Sequence, residues 1–301
     1  MNLYDIIIIG GGPAGLTAAI YALRANKSVL VLEKGTFGGQ ITSSPKVENI
    51  PGFLSVTGNE FAEKLIEQAM ELGAEVECCE ALSIENGDIK TVKTDEGDFT
   101  AKAVIIATGT KHRLLGIEKE EEFIGNGISF CAVCDGAFYE GKTVAVIGGG
   151  NSALQEAVLL SDTCKKVYVV QNLDYLTGEK KLSDQLYKKD NVEIITNVVV
   201  KSLIADAELK GITITNQSNG EDTVIDVDGL FVAIGLIPQN EPFASLISLN
   251  DWGYVDSDET CKTNQDGIFV AGDCRSKRIR QVATAASDGA IAALAACDYI
   301  N

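Results

Sequence analysis

The clearest chemical signal in the chain is a pair of cysteines two residues apart, Cys131-Ala132-Val133-Cys134. That spacing lets the two sulfurs meet as a disulfide at the start of a helix or turn, where the local dipole lowers a thiol pKa. Asp135 follows directly and could donate or accept the proton that thiol–disulfide exchange moves. The single histidine, His112, is remote in sequence, so a Cys–His dyad would have to recruit it from a linker. Two other readings stand beside the redox one: half of a zinc site, or two buried thiols. Zinc would want a second ligand pair of similar spacing, whereas Cys78 and Cys79 are adjacent and Cys164, Cys261, Cys274 and Cys297 are isolated.

A second signal is made of glycines. Gly10-x-Gly12-x-x-Gly15 lies between the apolar run Ile6–Ile9 and a helical pattern. Such glycines permit a tight turn and let a pyrophosphate approach backbone N–H groups at the helix start. Glu33 ends the next strand, in position to hydrogen-bond a ribose hydroxyl. The alternative is a plain structural glycine turn. Further on, Gly272-Asp273 ends the strand that opens at Gly267 and precedes the Ala-rich helical stretch from Gln281 to Ala296. An extended flavin dinucleotide takes a second contact from a distant part of the chain and a nicotinamide dinucleotide does not, so the first site reads as one for FAD.

The chain also repeats itself. Gly148-x-Gly150-x-x-Ala153 follows another β-branched run, and the offset that carries Gly10 onto Gly148 carries Glu33 onto Gln171. The segment Gln171 to Gly178 offers neither a carboxylate for a ribose nor an arginine for a 2′-phosphate. These second glycines read as packing helix on strand in a nucleotide fold that has lost its ligand.

Elements that could position these residues follow from the periodicity. Each glycine loop opens a βαβ unit whose second strand is Ser28–Leu32 or Lys166–Val170, and each unit closes on a strand ending near Thr108-Gly109 or Ile234-Gly235. The expected fold class is α/β, with two Rossmann-like three-layer domains, the second inserted into the first. The first domain is expected to take 1–115 and 247–301 and to bind FAD, and the second 116–246. The 301 residues suffice for two cores. A formal net charge of -18 argues against a nucleic-acid partner. The apolar stretch from Ile6 to Leu23 is broken by glycines and Pro13, so no membrane span is expected, and with no leader pattern at the start a cytoplasmic protein is.

Together these residues resemble the low-molecular-weight thioredoxin reductases along essentially the whole chain. The matching stretches are Gly10–Leu16, Phe37–Ile41, Val47–Phe53, Ala107–Gly109, Cys131–Gly136, Gly148–Ala153, Gly267–Asp273 and Arg280–Ala286. The resemblance implies a noncovalent FAD on Gly10, Gly12, Pro13, Ala14, Gly15, Glu33, Lys34, Gly39, Gln40, Asn49, Ala107, Thr108, Gly109, Gly272, Asp273, Arg280, Gln281, Val282 and Ala283. It implies that Cys134 lies against the flavin, that Cys131 attacks the target disulfide, and that Asp135 is the acid–base residue. It also implies a homodimer whose two domains swing during turnover. In NADPH-using members a His-Arg-Arg motif and a further Arg follow the second unit, and this sequence has none of them. It is thereby similar to the ferredoxin-dependent flavin branch, with thioredoxin as the substrate and reduced ferredoxin as the donor. NADPH or NADH bound in an unfamiliar way, or another small disulfide protein as the substrate, are the alternatives. Arg275, Lys277, Arg278 and Arg280 form one cation cluster that could receive an acidic ferredoxin; Lys180, Lys181, Lys188 and Lys189 form another.

Overall fold

A computed structural model describes residues 3–44 and 46–301. The first two residues of the expected first domain thus lie outside the described part. Six helices are present among these residues: α1 (Pro13–Arg24), α2 (Gly58–Glu71), α3 (Ala132–Asp135), α4 (Asn151–Ser161), α5 (Lys180–Leu186) and α6 (Val282–Ile300). The chain divides into two compact units, 1–111 with 237–301, and 112–236. The return into the first unit falls earlier than the expected 247 because Phe243 is buried in that unit's core beside Leu30, Ile106 and Val270.

In the first unit, Leu3–Ile9 lies between Val29–Leu32 and Gly97–Ile106, parallel to both. β-Branched residues fill it because a strand at the centre of a parallel sheet is buried on both faces. Ile6 and Ile8 point into one core with α1 and α6, while Ile7 and Ile9 point into the other. The long strand Gly97–Ile106 serves two partners: its start pairs antiparallel with Lys90–Thr94 and its end pairs parallel with Ile268–Val270. The latter pairing brings Gly272 and Asp273 to the same sheet edge as the Gly10 loop. This sheet, with helices on one side and the antiparallel strands on the other, is α/β as expected.

The second unit repeats the plan. Its parallel sheet runs in the order Val192–Ile195, Lys166–Val170, Thr143–Ile147, Gly229–Val232, Ile128–Ser129. Helix α4 covers one face, and the meander Val198–Ala205, Leu209–Asn216, Asp222–Asp226 covers the other.

The α1–α6 contact shows how tightly the first site is framed. A Cβ on Gly289 of α6 would come within 2.2 Å of the Ala14 carbonyl oxygen and 3.0 Å of the Ala18 nitrogen. Gly289→Ala should therefore destabilise the fold by about 1–3 kcal/mol through overpacking. This outweighs the roughly 1 kcal/mol that alanine gains over glycine in a helix. A urea midpoint equal to that of the unaltered chain would show that the two helices yield.

Candidate functional site: a flavin cleft and a redox disulfide

The cleft of the first unit forms where α1 begins. Gly12 caps the helix with no side-chain bond and Pro13 opens its first turn, so the first N–H groups lack a side-chain partner. Gly15 has to be glycine, since a Cβ there would sit 1.9 Å from the Gly10 carbonyl oxygen. Glu33, at the end of its strand, accepts from the Gly11 N–H at 2.7 Å and from the Gly35 N–H at 2.8 Å. These bonds fix the carboxylate at the rim of a cleft. Leu32, Ala81 and Phe243 supply apolar walls, and Gly10, Lys34 and Thr108 also line it.

The rest of the expected cofactor set lies around this edge. Lys34 is paired with Glu80 at 2.9 Å. Gly39 and Gln40 open a short turn, with the Gln40 amide donating to the Thr110 carbonyl and hydroxyl. Asn49 donates to the Gln281 side chain at 3.0 Å, joining a loop to the cap of α6. Ala107 binds the Ile9 carbonyl through its N–H, Gly109 accepts from the Gln239 N–H, and the Thr108 hydroxyl donates to Asn240 at 3.1 Å. Val282 packs among Val47, Phe61 and their neighbours, and Ala283 follows it in the first turn of α6. Asp273 Oδ1 is buried with no hydrogen-bond partner among the described residues, although the Lys277 ammonium is 3.7 Å away. Burial holds its carboxyl above the usual range. An orphaned carboxyl at this edge, free N–H donors at a helix start and a carboxylate beyond them suit a dinucleotide's hydroxyls and pyrophosphate, so the residues fit FAD.

Cys79, Glu80, Gln239 and Pro242 also line the cleft, and Asn240 binds the Gly253 and Cys274 carbonyls beneath it. No spacing rule singles them out; they arrive from strand ends and the return crossing.

One expectation is corrected. Arg275 is buried in a bidentate pair with Asp288, at 2.9 and 2.8 Å, and Lys277 binds the same carboxylate at 2.9 Å. Arg280 lies over the Tyr254 ring at 4.1 Å and donates to the Asp273 carbonyl. Of the four cations only Arg278 is exposed, so the cluster ties the Gly272-Asp273 turn to α6 and is no docking patch. Lys180, Lys181 and Lys188 are exposed, while Lys189 pairs with Asp162.

In the second unit Cys131 and Cys134 are joined as a disulfide with their Cα atoms 5.3 Å apart. Among the described residues no group of three or more His, Cys, Asp or Glu side chains could hold a metal. Cys131 caps α3, and Ala132 anchors that short helix in the core against Ala153, Ala157 and Leu160 of α4. Val133, between the sulfurs, is exposed. Asp135 Oδ2 accepts from the Ser129 hydroxyl at 2.6 Å, while its Oδ1 is buried and unpartnered among the described residues. Burial raises the Asp135 pKa and the Ser129 bond opposes it, the kind of perturbation that groups moving protons carry. His112 stacks on Phe130 at 4.2 Å, and burial lowers its pKa to about 4. It is neutral there and makes no Cys–His dyad.

The second glycine loop is differently furnished. Gln171, in the place corresponding to Glu33, is 5% exposed and packs on Gly149, where a Cβ would come within 2.6 Å of it. Its amide is committed to the Tyr175 carbonyl and the Asn172 N–H. Thr177 and Gly178 donate to the Gly149 carbonyl, so the segment after Gln171 folds back on the loop. Asn151 and Ser152 at the start of α4 are exposed.

A dinucleotide fold repeated within one chain, with a C-x-x-C disulfide in the inserted copy, defines a flavin-linked disulfide oxidoreductase. Residues 4–289 match the family model described as pyridine nucleotide-disulphide oxidoreductase, and the chain belongs to that family. Within it, thioredoxin reductases are among the relatives. The Listeria monocytogenes thioredoxin reductase is 40% identical over 302 residues, covering 100% of this chain and 95% of its own. The crystal structure of thioredoxin reductase from Streptococcus pyogenes matches with a TM-score of 0.94 and 40% identity, over 99% of this chain and 98% of that one. A "34.2 kDa protein in rubredoxin operon" of Clostridium pasteurianum is 43% identical over 301 residues, 99% of this chain and 97% of its own. Like its family, the protein is an FAD flavoprotein. No helix among the described residues is long and apolar enough to cross a membrane.

Proposed function

We propose that this protein is a thioredoxin reductase, a cytoplasmic homodimer, in which electrons enter singly from reduced ferredoxin, reach the Cys131–Cys134 disulfide and leave to thioredoxin. In this reading the first unit holds FAD through the Gly10 loop, Glu33, Gln40, Asn49, Asp273 and the start of α6. The second unit carries the disulfide and a nucleotide site without a ligand. FAD, when bound, accepts electrons one at a time and passes them on as a pair. In the reduced protein the Cys131 thiolate attacks one sulfur of the thioredoxin disulfide and displaces the other as a thiolate, which takes a proton from Asp135. Cys134 then attacks the Cys131 sulfur, which re-forms the protein disulfide and releases the second thioredoxin sulfur.

The choice of donor is carried by Gln171. Its buried, committed amide stands where a ribose would be read, and Asn172, Leu173 and Asp174 bring no cation for a 2′-phosphate. The exposed Lys180, Lys181 and Lys188 could meet an acidic donor. The open start of α4 favours a second reading, in which a nicotinamide dinucleotide binds by its pyrophosphate alone. Anaerobic mixing separates the two. Reduced ferredoxin should bleach the flavin band and deliver thiols to thioredoxin, whereas rapid bleaching by NADPH or NADH would establish the second reading.

A further inference from the structure

The strand that delivers Cys131 is short. Ile128–Ser129 pairs with Leu230 and Phe231 at the end of the second unit's sheet, and that pairing stops at Ser129, next to Phe130. Beyond it the chain is placed by side chains. The Ser129 hydroxyl accepts from the Cys131 N–H at 3.1 Å. The Phe130 ring packs against the core that holds Phe123, Ile128 and Leu230, and His112 lies on it with ring centres 4.2 Å apart and planes 16° apart. His112 is itself held in place, since the next residue, Arg113, donates its N–H to the Gly235 carbonyl at 3.0 Å.

We propose that His112 is a positioning residue for the redox disulfide: its imidazole is a flat plate that fixes Phe130, and through it Cys131, and so favours the closed, oxidised form of the two cysteines. Burial lowers the imidazole pKa to about 4, so across the neutral range the plate is an uncharged ring and brings no charge to the sulfurs. What it supplies is a ring face, as any aromatic partner of Phe130 does.

The direction of the effect follows from chain entropy. Closing a disulfide orders the loop that carries the sulfurs, and the equilibrium favours closure when that loop is ordered beforehand. In the disulfide the covalent bond restrains Cys131 in any case. In the dithiol the Ser129 bond, α3 and the ring stack are left to do it. Loss of the plate therefore frees the dithiol more than the disulfide, and the disulfide becomes easier to reduce. A dithiol that prefers to close is the stronger reductant; that it acts on thioredoxin rests on the function proposed above.

The test equilibrates the FAD-loaded protein anaerobically, at about pH 7, with mixtures of reduced and oxidised dithiothreitol. Dithiothreitol loses two electrons and two protons as it cyclises, the Cys131–Cys134 bond breaks, and each sulfur gains one electron and one proton. Acid quenching, alkylation and mass spectrometry of the peptide that holds both cysteines give the fraction reduced. His112→Ala should raise the equilibrium constant for reduction by roughly two- to tenfold, the range that a lost aromatic pair spans. His112→Leu keeps apolar bulk without a ring face and should raise it in the same way. His112→Phe and His112→Tyr should stay within about twofold of the unaltered chain, because both offer a ring to Phe130. A constant unmoved by Ala or by Leu overturns the proposal, and so does a Phe variant that shifts as far as Ala. Should the Ala variant fail to fold, Leu against Phe decides alone. Failed turnover with ferredoxin or thioredoxin leaves these constants as they are and counts only against the proposed function.

Discussion

Serine at position 131 should lower thioredoxin reduction by at least about three orders of magnitude while FAD stays bound. The exchange step needs a thiolate, and a serine hydroxyl is neither ionised near neutrality nor able to form a mixed disulfide. The cofactor should be unaffected because the residues fitted to it, from Gly10 to Ala283, belong to the other compact unit. Turnover and the visible flavin spectrum of Cys131→Ser, measured side by side, check both halves. A loss under about tenfold with an unchanged spectrum would put the nucleophile elsewhere, at Cys134 or at the exposed Cys78 of the first unit. Cys79, Cys164, Cys261, Cys274 and Cys297 are buried. Burial raises the thiol pKa of each, to about 12 at Cys261.

The second large effect concerns the donor. A charge-assisted contact to a phosphate contributes about 1.5–3 kcal/mol, so the absence of two such cations weakens a 2′-phosphate by roughly 10²- to 10⁴-fold. A net charge of -18 adds repulsion. NADPH at ordinary concentrations should therefore reduce the flavin at least about a hundredfold more slowly than reduced ferredoxin does, and rates from anaerobic stopped flow decide it. Equal rates would mean that the exposed start of α4 is enough for nicotinamide binding.

The two glycine loops, the C-x-x-C pair and the inserted second copy could be read from the sequence because each depends on local spacing. A glycine that meets a backbone oxygen at 1.9 Å, as Gly15 would with a Cβ, leaves a mark that no other residue type can make. Charge is read less well. Arg275 and Lys277 look like a solvated cluster until Asp288 is seen turning inward from α6 to meet them. The available hint was that Asp288 sits among Ala285, Gly289, Ala292 and Ala293 on the buried face of an alanine-rich helix, where an unpaired carboxylate would be costly. Gln171 could be recognised as a departure by its offset from Glu33, but its commitment to Tyr175 and Asn172 depends on how the following loop folds back. The walls formed by Leu32, Ala81 and Phe243 come from three separate segments, and only the packed sheet brings them together.

If an electron pair crosses from the flavin to the sulfurs of Cys131 and Cys134, an anaerobic dithionite titration of the FAD-loaded protein will record it as a count. The unaltered protein should take up one electron pair more than the double variant Cys131→Ser, Cys134→Ser before its flavin is fully reduced, and the extra pair should appear as two free thiols. Equal uptake by the two proteins, with the disulfide still intact in the unaltered one, would contradict the account.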